Sequence, residues 1–157
     1  MSQEITLKRA RGIAFKMLGF RARTCHQVRA ALLKKGAPEA LAAEVIDELL
    51  EAGYLNDREF AQNYLSVRLE QKAHGRRYYL AKLCQAGVDT QLAKEVLEEV
   101  YTKHQEEEQA IHFVERLRQR GETCPQKILR KLANRGFSAS VSRSALNEEN
   151  YPPEWPL

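Results

Sequence analysis

Apolar positions along the chain recur every three or four residues, and no segment shows the strict alternation of a half-buried strand. Ile5, Ala14, Phe15 and Leu18 form a first stripe that closes near Gly19. Thr24-Cys25-His26-Gln27 has the T-x-x-Q spacing of a capping box, in which the hydroxyl and the amide satisfy two backbone N–H groups at a helix start. It opens a second helix with Val28, Ala31 and Leu32 on its apolar face and Gly36 as its stop. Pro38 stands where a first-turn proline is tolerated, and Leu41, Val45, Ile46 and Leu49 line a third helix that ends at Gly53. The periodicity predicts an all-α protein.

The stretch from Gly53 to Phe60 is the junction between one unit and the next. Gly53 suits the left-handed residue that closes a helix, and Asn56 can cap the following one with Glu59 at the capping-box position. Leu55 and Phe60 have the spacing of a hydrophobic staple across the turn, with Tyr54 and Asp57 completing the junction.

The same pattern is then written again. Gly36, Gly87 and Gly136 lie 51 and 49 residues apart, and aligning them brings four apolar columns into register. Leu32, Leu83 and Leu132 fall four residues before each glycine, and Val28, Tyr79 and Ile128 eight before. Leu41, Leu92 and Val141 fall five after, and Ile46, Leu97 and Leu146 ten after. A period near 50 residues marks a repeat architecture. The expected organisation is three tandem three-helix repeats, 1–53, 54–103 and 104–149, forming an elongated, curved array whose small units share part of their cores. Residues 150–157 carry three prolines that forbid a helix and are expected to be a flexible tail, with Tyr151 and Trp155 able to dock on the last unit.

Charge follows the repeat. Residues 1–37 hold nine basic side chains against one acidic, residues 38–75 eight acidic against three basic, and residues 76–88 three basic and none acidic. The alternation continues to the end of the chain, so a formal net charge of +4 conceals strong local fields. Two explanations compete. Basic and acidic helices can pair across the units or lie on a solvated face, where each pair contributes little. Alternatively, the basic middle helices line one face and form a surface for a polyanion or an acidic protein groove. Under the second reading the partner-binding residues are Arg76, Arg77 and Lys82, with Tyr78 one turn from Lys82. Their counterparts are Arg21, Arg23, Arg29, Lys34 and Lys35 in the first unit and Lys127, Arg130, Lys131 and Arg135 in the third.

Catalytic chemistry finds little support. The four histidines have no H-E-x-x-H or other metal spacing, and there is no phosphate loop or nucleophile elbow, so no enzyme activity, metal or cofactor is expected. Adjacent Cys25 and His26 point about 100° apart on a helix and make a poor nucleophile and base. Glu106-Glu107-Glu108 reads as a solvated first turn that complements a helix N-terminus. Three cysteines without a C-x-x-C pair suit free thiols in a reducing compartment, and no apolar run approaches a membrane span. A cytoplasmic monomer is expected.

Gly53-Tyr54-Leu55-Asn56-Asp57, followed by Phe60-Ala61, Tyr64, Arg68, Gly75 and Leu83 to Gly87, resembles the signature of the RecX family, small bacterial modulators of the RecA recombinase. Arg21, Thr24, Leu32 and Lys35-Gly36 match the spacing of that family's R-x-x-S-x-x-E-L-x-x-K-L-x-x-K-G, and Arg135-Gly136-Phe137 its closing R-G-F. The chain departs from the family where Arg76, Tyr78, Tyr79 and Lys82 replace proline, arginine, isoleucine and glutamate, making this helix more basic and more aromatic. The resemblance implies a non-enzymatic regulator that lies in the groove of RecA–DNA filaments. It would inhibit strand exchange, ATP turnover and co-protease function, and so modulate recombinational repair and the SOS response. The alternative is a stand-alone helix-turn-helix-like module that binds single- or double-stranded DNA.

Overall fold

A computed structural model describes residues 5–146, and the expected proline-rich tail lies outside them. The described residues are helical throughout their regular structure. α1 (Leu7–Phe20), α2 (Cys25–Lys34) and α3 (Glu39–Glu51) form a first unit, α4 (Asp57–Leu69), α5 (Arg76–Gln85) and α6 (Thr90–Val100) a second, and α7 (Lys103–Gln119), α8 (Pro125–Asn134) and α9 (Ala139–Ala145) a third. The helix pairs in closest contact all lie within one unit, and the buried side chains divide into three cores accordingly, except that Ala73 of the α4–α5 linker joins the third.

The aligned apolar columns explain those cores. Val28, Tyr79 and Ile128, and likewise Leu32, Leu83 and Leu132, are fully buried, so each middle helix presents the same two positions to its own core. The column of Leu41 and Leu92 is only half-buried, whereas Val141 is enclosed. Tyr79 could replace an aliphatic residue in its column because its hydroxyl reaches the Lys72 carbonyl at 3.1 Å, and its ring meets Tyr101 edge-on. Tyr101 in turn donates to the His74 carbonyl at 2.8 Å, so two buried phenols hold the α4–α5 linker from beneath.

Helix starts follow the capping signals. Thr24 and Gln27 make the reciprocal capping box, and Asn56 accepts from the Glu59 N–H at 3.1 Å. Gly53 closes α3 with φ +81°, and Gly36, Gly87 and Gly136 close the middle helices with φ between +86° and +99°. Two expectations are corrected. Phe15 is 45% exposed and packs edge-on against Tyr54 rather than entering the core, and Leu55 joins the first unit's core while Phe60 packs against the second's. The chain between units is therefore fixed by the Asn56 cap and by anchoring each side to its own core.

What joins the units is contact between ends of middle helices. The Thr24 hydroxyl, at the start of α2, donates to the Ala86 carbonyl at the end of α5 at 2.6 Å. The Gly75 N–H, at the start of α5, donates to the Arg135 carbonyl at the end of α8 at 2.8 Å. Positive N-terminus thus meets negative C-terminus twice over. Glycine is demanded at these contacts for space, and at Gly87 for φ as well: a Cβ on Gly87 would lie 2.3 Å from His26 Cβ, and one on Gly75 2.1 Å from the Gly136 oxygen. Gly36 faces nothing within 4 Å.

These differences order three substitutions. Gly36→Ala is expected to cost about 1 kcal/mol from backbone strain alone, and Gly53→Val about 1 kcal/mol or more for the same reason with a β-branched side chain. Gly87→Ala adds the collision with His26 and should be the most destabilising of the three by urea denaturation. Equal midpoints for the two alanine variants would mean that the α2–α5 contact does not carry stability.

Candidate partner-binding surface

The two junctions between units share a second interaction. The N–H of the first residue of α2, Cys25, donates to Asp57 Oδ1 at 2.9 Å, and that of the first residue of α5, Arg76, donates to Glu106 Oε2 at 2.5 Å. A carboxylate from the next unit's first helix thus caps each preceding middle helix from outside. Glu106 is only 4% exposed, which corrects the expectation of a solvated first turn. Gly75 has no side chain with which to cap α5, so Glu106 supplies the acceptor. Burial pushes the Glu106 carboxyl above the usual carboxylate range, opposed by the Arg76 N–H and guanidinium. Burial and the neighbouring Asp57 push the Cys25 thiol up to about 11, which keeps it a thiol at neutral pH.

The basic residues of the middle helices separate into two groups. Arg29 is paired with Glu39 at 2.7 Å, Arg76 with Glu98, and Lys131 with Glu122 at 3.3 Å, each within its own unit. Arg58 binds Glu95 and Glu99 at 2.9 Å each, so the acidic α6 is neutralised by α4 and α5 together. Arg77, Lys127, Arg130, Lys34 and Lys35 are exposed, while Lys82 is half-buried with its ammonium 5.5 Å from the Tyr78 ring. Tyr78 stacks on His74 with ring centroids 3.9 Å apart.

Arg21 and Tyr78 are brought to clefts that share Arg68 of α4, and Arg135 to a cleft between the α4–α5 linker and α7. Arg135 is fixed there by its bond to the Ala73 carbonyl at 3.1 Å and by the face of Phe113, 4.7 Å from its guanidinium carbon. Arg23 lines a smaller hollow at the first junction with Gly53, Tyr54, Asn56 and Phe60. The same clefts contain Arg116 and Arg120 of the basic stretch outside the middle helices, and Arg68 and Lys72, which counting charge along the chain concealed. Arg68 and Lys72 sit in the window with a net negative count. Their signal was the i, i+4 pair Tyr64 and Arg68, whose guanidinium lies 3.7 Å from the ring centroid.

Among the described residues, nine helices in three docked units define a helical repeat protein, with cations and aromatic rings gathered in its clefts. A family model described as "RecX, first three-helix domain" matches residues 10–49. The regulatory protein RecX of Amycolatopsis mediterranei is 33% identical over 147 residues, spanning 90% of this chain and 83% of its own length. That of Bacillus velezensis is 29% identical, and the match spans 92% of this chain but 57% of the relative. The crystal structure of RecX from Lactobacillus salivarius superposes with a TM-score of 0.82 over 90% of this chain and 95% of that one, at 22% identity. The chain belongs to the RecX family of regulatory proteins. No helix among the described residues is long and apolar enough to cross a membrane.

Glu106 gives a test of the second junction. Its folded pKa is raised above the unfolded value, so it contributes stability below the ordinary carboxylate range and loses that contribution as pH rises through the folded value. Glu106→Gln keeps an acceptor for the Arg76 N–H without the buried charge, and should equal or exceed the parent in melting temperature at pH 7, with the gap closing on acidification. Glu106→Leu leaves that N–H unpaired and should lose about 1–3 kcal/mol. Equal losses for both variants at pH 7 would show that the charge itself holds the junction.

Proposed function

We propose that the chain is a non-enzymatic regulator that binds RecA–DNA filaments in their groove and inhibits recombinase, ATPase and co-protease activities, acting in the cytoplasm as a monomer. Membership of the RecX family carries this reading. The repeat supports it physically. Basic middle helices set end to end present separate contacts along one array, and linked contacts reinforce one another by raising effective concentration. Under this reading the partner surface comprises the sequence-predicted basic residues, of which Arg21, Lys34, Lys35, Arg77, Lys82, Lys127 and Arg130 are accessible without breaking a described ion pair. Homologous recombination and the SOS response are the processes regulated.

Co-sedimentation with RecA filaments on single-stranded DNA, beside the same DNA alone, tests the proposal; equal binding in both favours the stand-alone DNA-binding module. Arg77→Glu combined with Lys82→Glu should change stability by less than about 1 kcal/mol. It should weaken filament binding at least about tenfold and relieve inhibition of ATP turnover, since complementary fields govern encounter and salt sensitivity. Arg76 is left in place because reversing it would set two carboxylates together at Glu98. Reversal of Glu95, Glu98 and Glu99 to Lys reports the partner's sign: tighter binding identifies DNA, weaker binding a basic protein groove. Full inhibition by the Arg77/Lys82 variant at unchanged salt dependence would place the contacts elsewhere.

A further inference from the structure

The chain leaves the described structure at Leu146, which packs in the same core as Ala73, Phe113 and Leu117. Those three side chains also line the cleft between the α4–α5 linker and α7, so the cleft lies over the core from which the last segment departs. Lys72, Arg116, Arg120 and Arg135 stand around this apolar floor, and no aspartate or glutamate lines it. None of the four is in an ion pair among the described residues, in contrast to Arg29, Arg76 and Lys131. At Lys72 the cleft meets a larger one of 450 Å³, where Tyr78 stacks on His74.

Residues 147–157 have the complementary chemistry. They hold Glu148, Glu149 and Glu154 without a lysine or arginine, and two large aromatic side chains, Tyr151 and Trp155. Trp155 is nine residues beyond Leu146, a span of about 30 Å in an extended chain, whereas α7 with its 17 residues is about 25 Å long. The repeat supplies the direction. In the first unit the chain beyond α3 lays Tyr54, eighteen residues after Gly36, against Phe15 of α1. The same repeat positions in the third unit are Glu154, beside Trp155, and Glu115, beside Arg116 of the cleft.

We propose that residues 147–157 fold back onto this cleft as its intramolecular occupant, Trp155 covering the apolar floor and the glutamates meeting Lys72, Arg116 and Arg120, so that an anionic partner must displace them. Arg135 is already held over Phe113, and its guanidinium offers the cation–π contact that an indole makes best. Pro152, Pro153 and Pro156 restrict the undocked chain, so less conformational freedom is lost on docking. Tethering gives the segment an effective concentration of about a millimolar at the cleft, enough to populate a contact that would be weak between separate molecules. This inference goes beyond the filament proposal and is tested without RecA, so either can fail alone.

Trp155 is the one tryptophan of the chain, so its fluorescence reads the segment directly. In the full chain its emission should lie to the blue of that of a free peptide of residues 147–157. Acrylamide should quench it at about half the peptide's rate or less, because a docked ring is shielded on one face. Both differences should shrink as salt rises and stay constant over an about tenfold range of protein concentration. Arg116→Glu with Arg120→Glu, both exposed, should bring the emission to the peptide's position, whereas Lys34→Glu with Lys35→Glu should leave it unchanged. Inorganic polyphosphate should displace the ring. Glu148→Gln with Glu149→Gln and Glu154→Gln should bind labelled polyphosphate about tenfold more tightly, the gain expected if the docked form is about nine-tenths populated. Glu44→Gln with Asp47→Asn and Glu51→Gln removes equal charge from α3 and should change that affinity by less than about twofold. Peptide-like emission and quenching in the parent would overturn the proposal, as would a ring that polyphosphate leaves in place. Equal effects of the two cation pairs, or equal gains from the two carboxylate triples, would overturn it by reducing the contact to the general field of a basic protein. Emission that shifts with protein concentration would overturn the intramolecular contact and assign the segment to a second copy. If the Arg116/Arg120 variant fails to fold by circular dichroism, the salt and polyphosphate titrations of the parent decide.

Discussion

The structure depends on the close approach of helix ends, above all on the contacts where α2 abuts α5 and α5 abuts α8. Each unit is too small to enclose a large core, so its stability and its orientation both rest on what its neighbour supplies. The supply is specific: a capping acceptor from the next unit's first helix, a hydrogen bond between end residues, and opposed helix dipoles. All three require the backbones to meet at distances that exclude a Cβ. Apolar burial builds three cores, but the end contacts make them one molecule.

Electrostatics is divided between the same tasks. Where acidic and basic helices belong to one unit, they neutralise each other through pairs such as Arg58 with Glu95 and Glu99. At the junctions, a buried carboxylate is committed to a helix start, and its environment raises its affinity for a proton. In the clefts at α4, the α4–α5 linker and α7, cations gather with aromatic rings and no carboxylate. Pairing within the units has therefore consumed much of the charge that a linear count leaves free, and Arg76 shows the difference most directly: basic in sequence, it is bound to Glu98 while its own N–H is bound to Glu106.

The helical class, the repeat and the glycine stops were legible because each is a local or periodic property. Val28, Tyr79 and Ile128 were placed in one column by spacing alone, and all are buried. The role of Glu106 was not legible, since its burial comes from a unit folded earlier in the chain and from the missing side chain of Gly75. Nor could charge counting find Arg68 and Lys72, which share one cleft, because Lys72 meets Arg116 and Arg135 only when the second and third units dock. Phe15 was misplaced for a related reason: periodicity defines an apolar face, but Tyr54, across a chain reversal, covers part of it from outside.

Three glycines at one repeat position also differ in how replaceable they are. Asparagine can visit the left-handed region at modest cost, so position 36, open to solvent, accepts a second letter of the alphabet. Positions 87 and 136 do not, because a neighbour occupies the volume that any side chain would claim. Copies of a unit that begin identical are thus set on different paths of drift by their place in the line: the first copy is free to lose the residue that the second and third must keep.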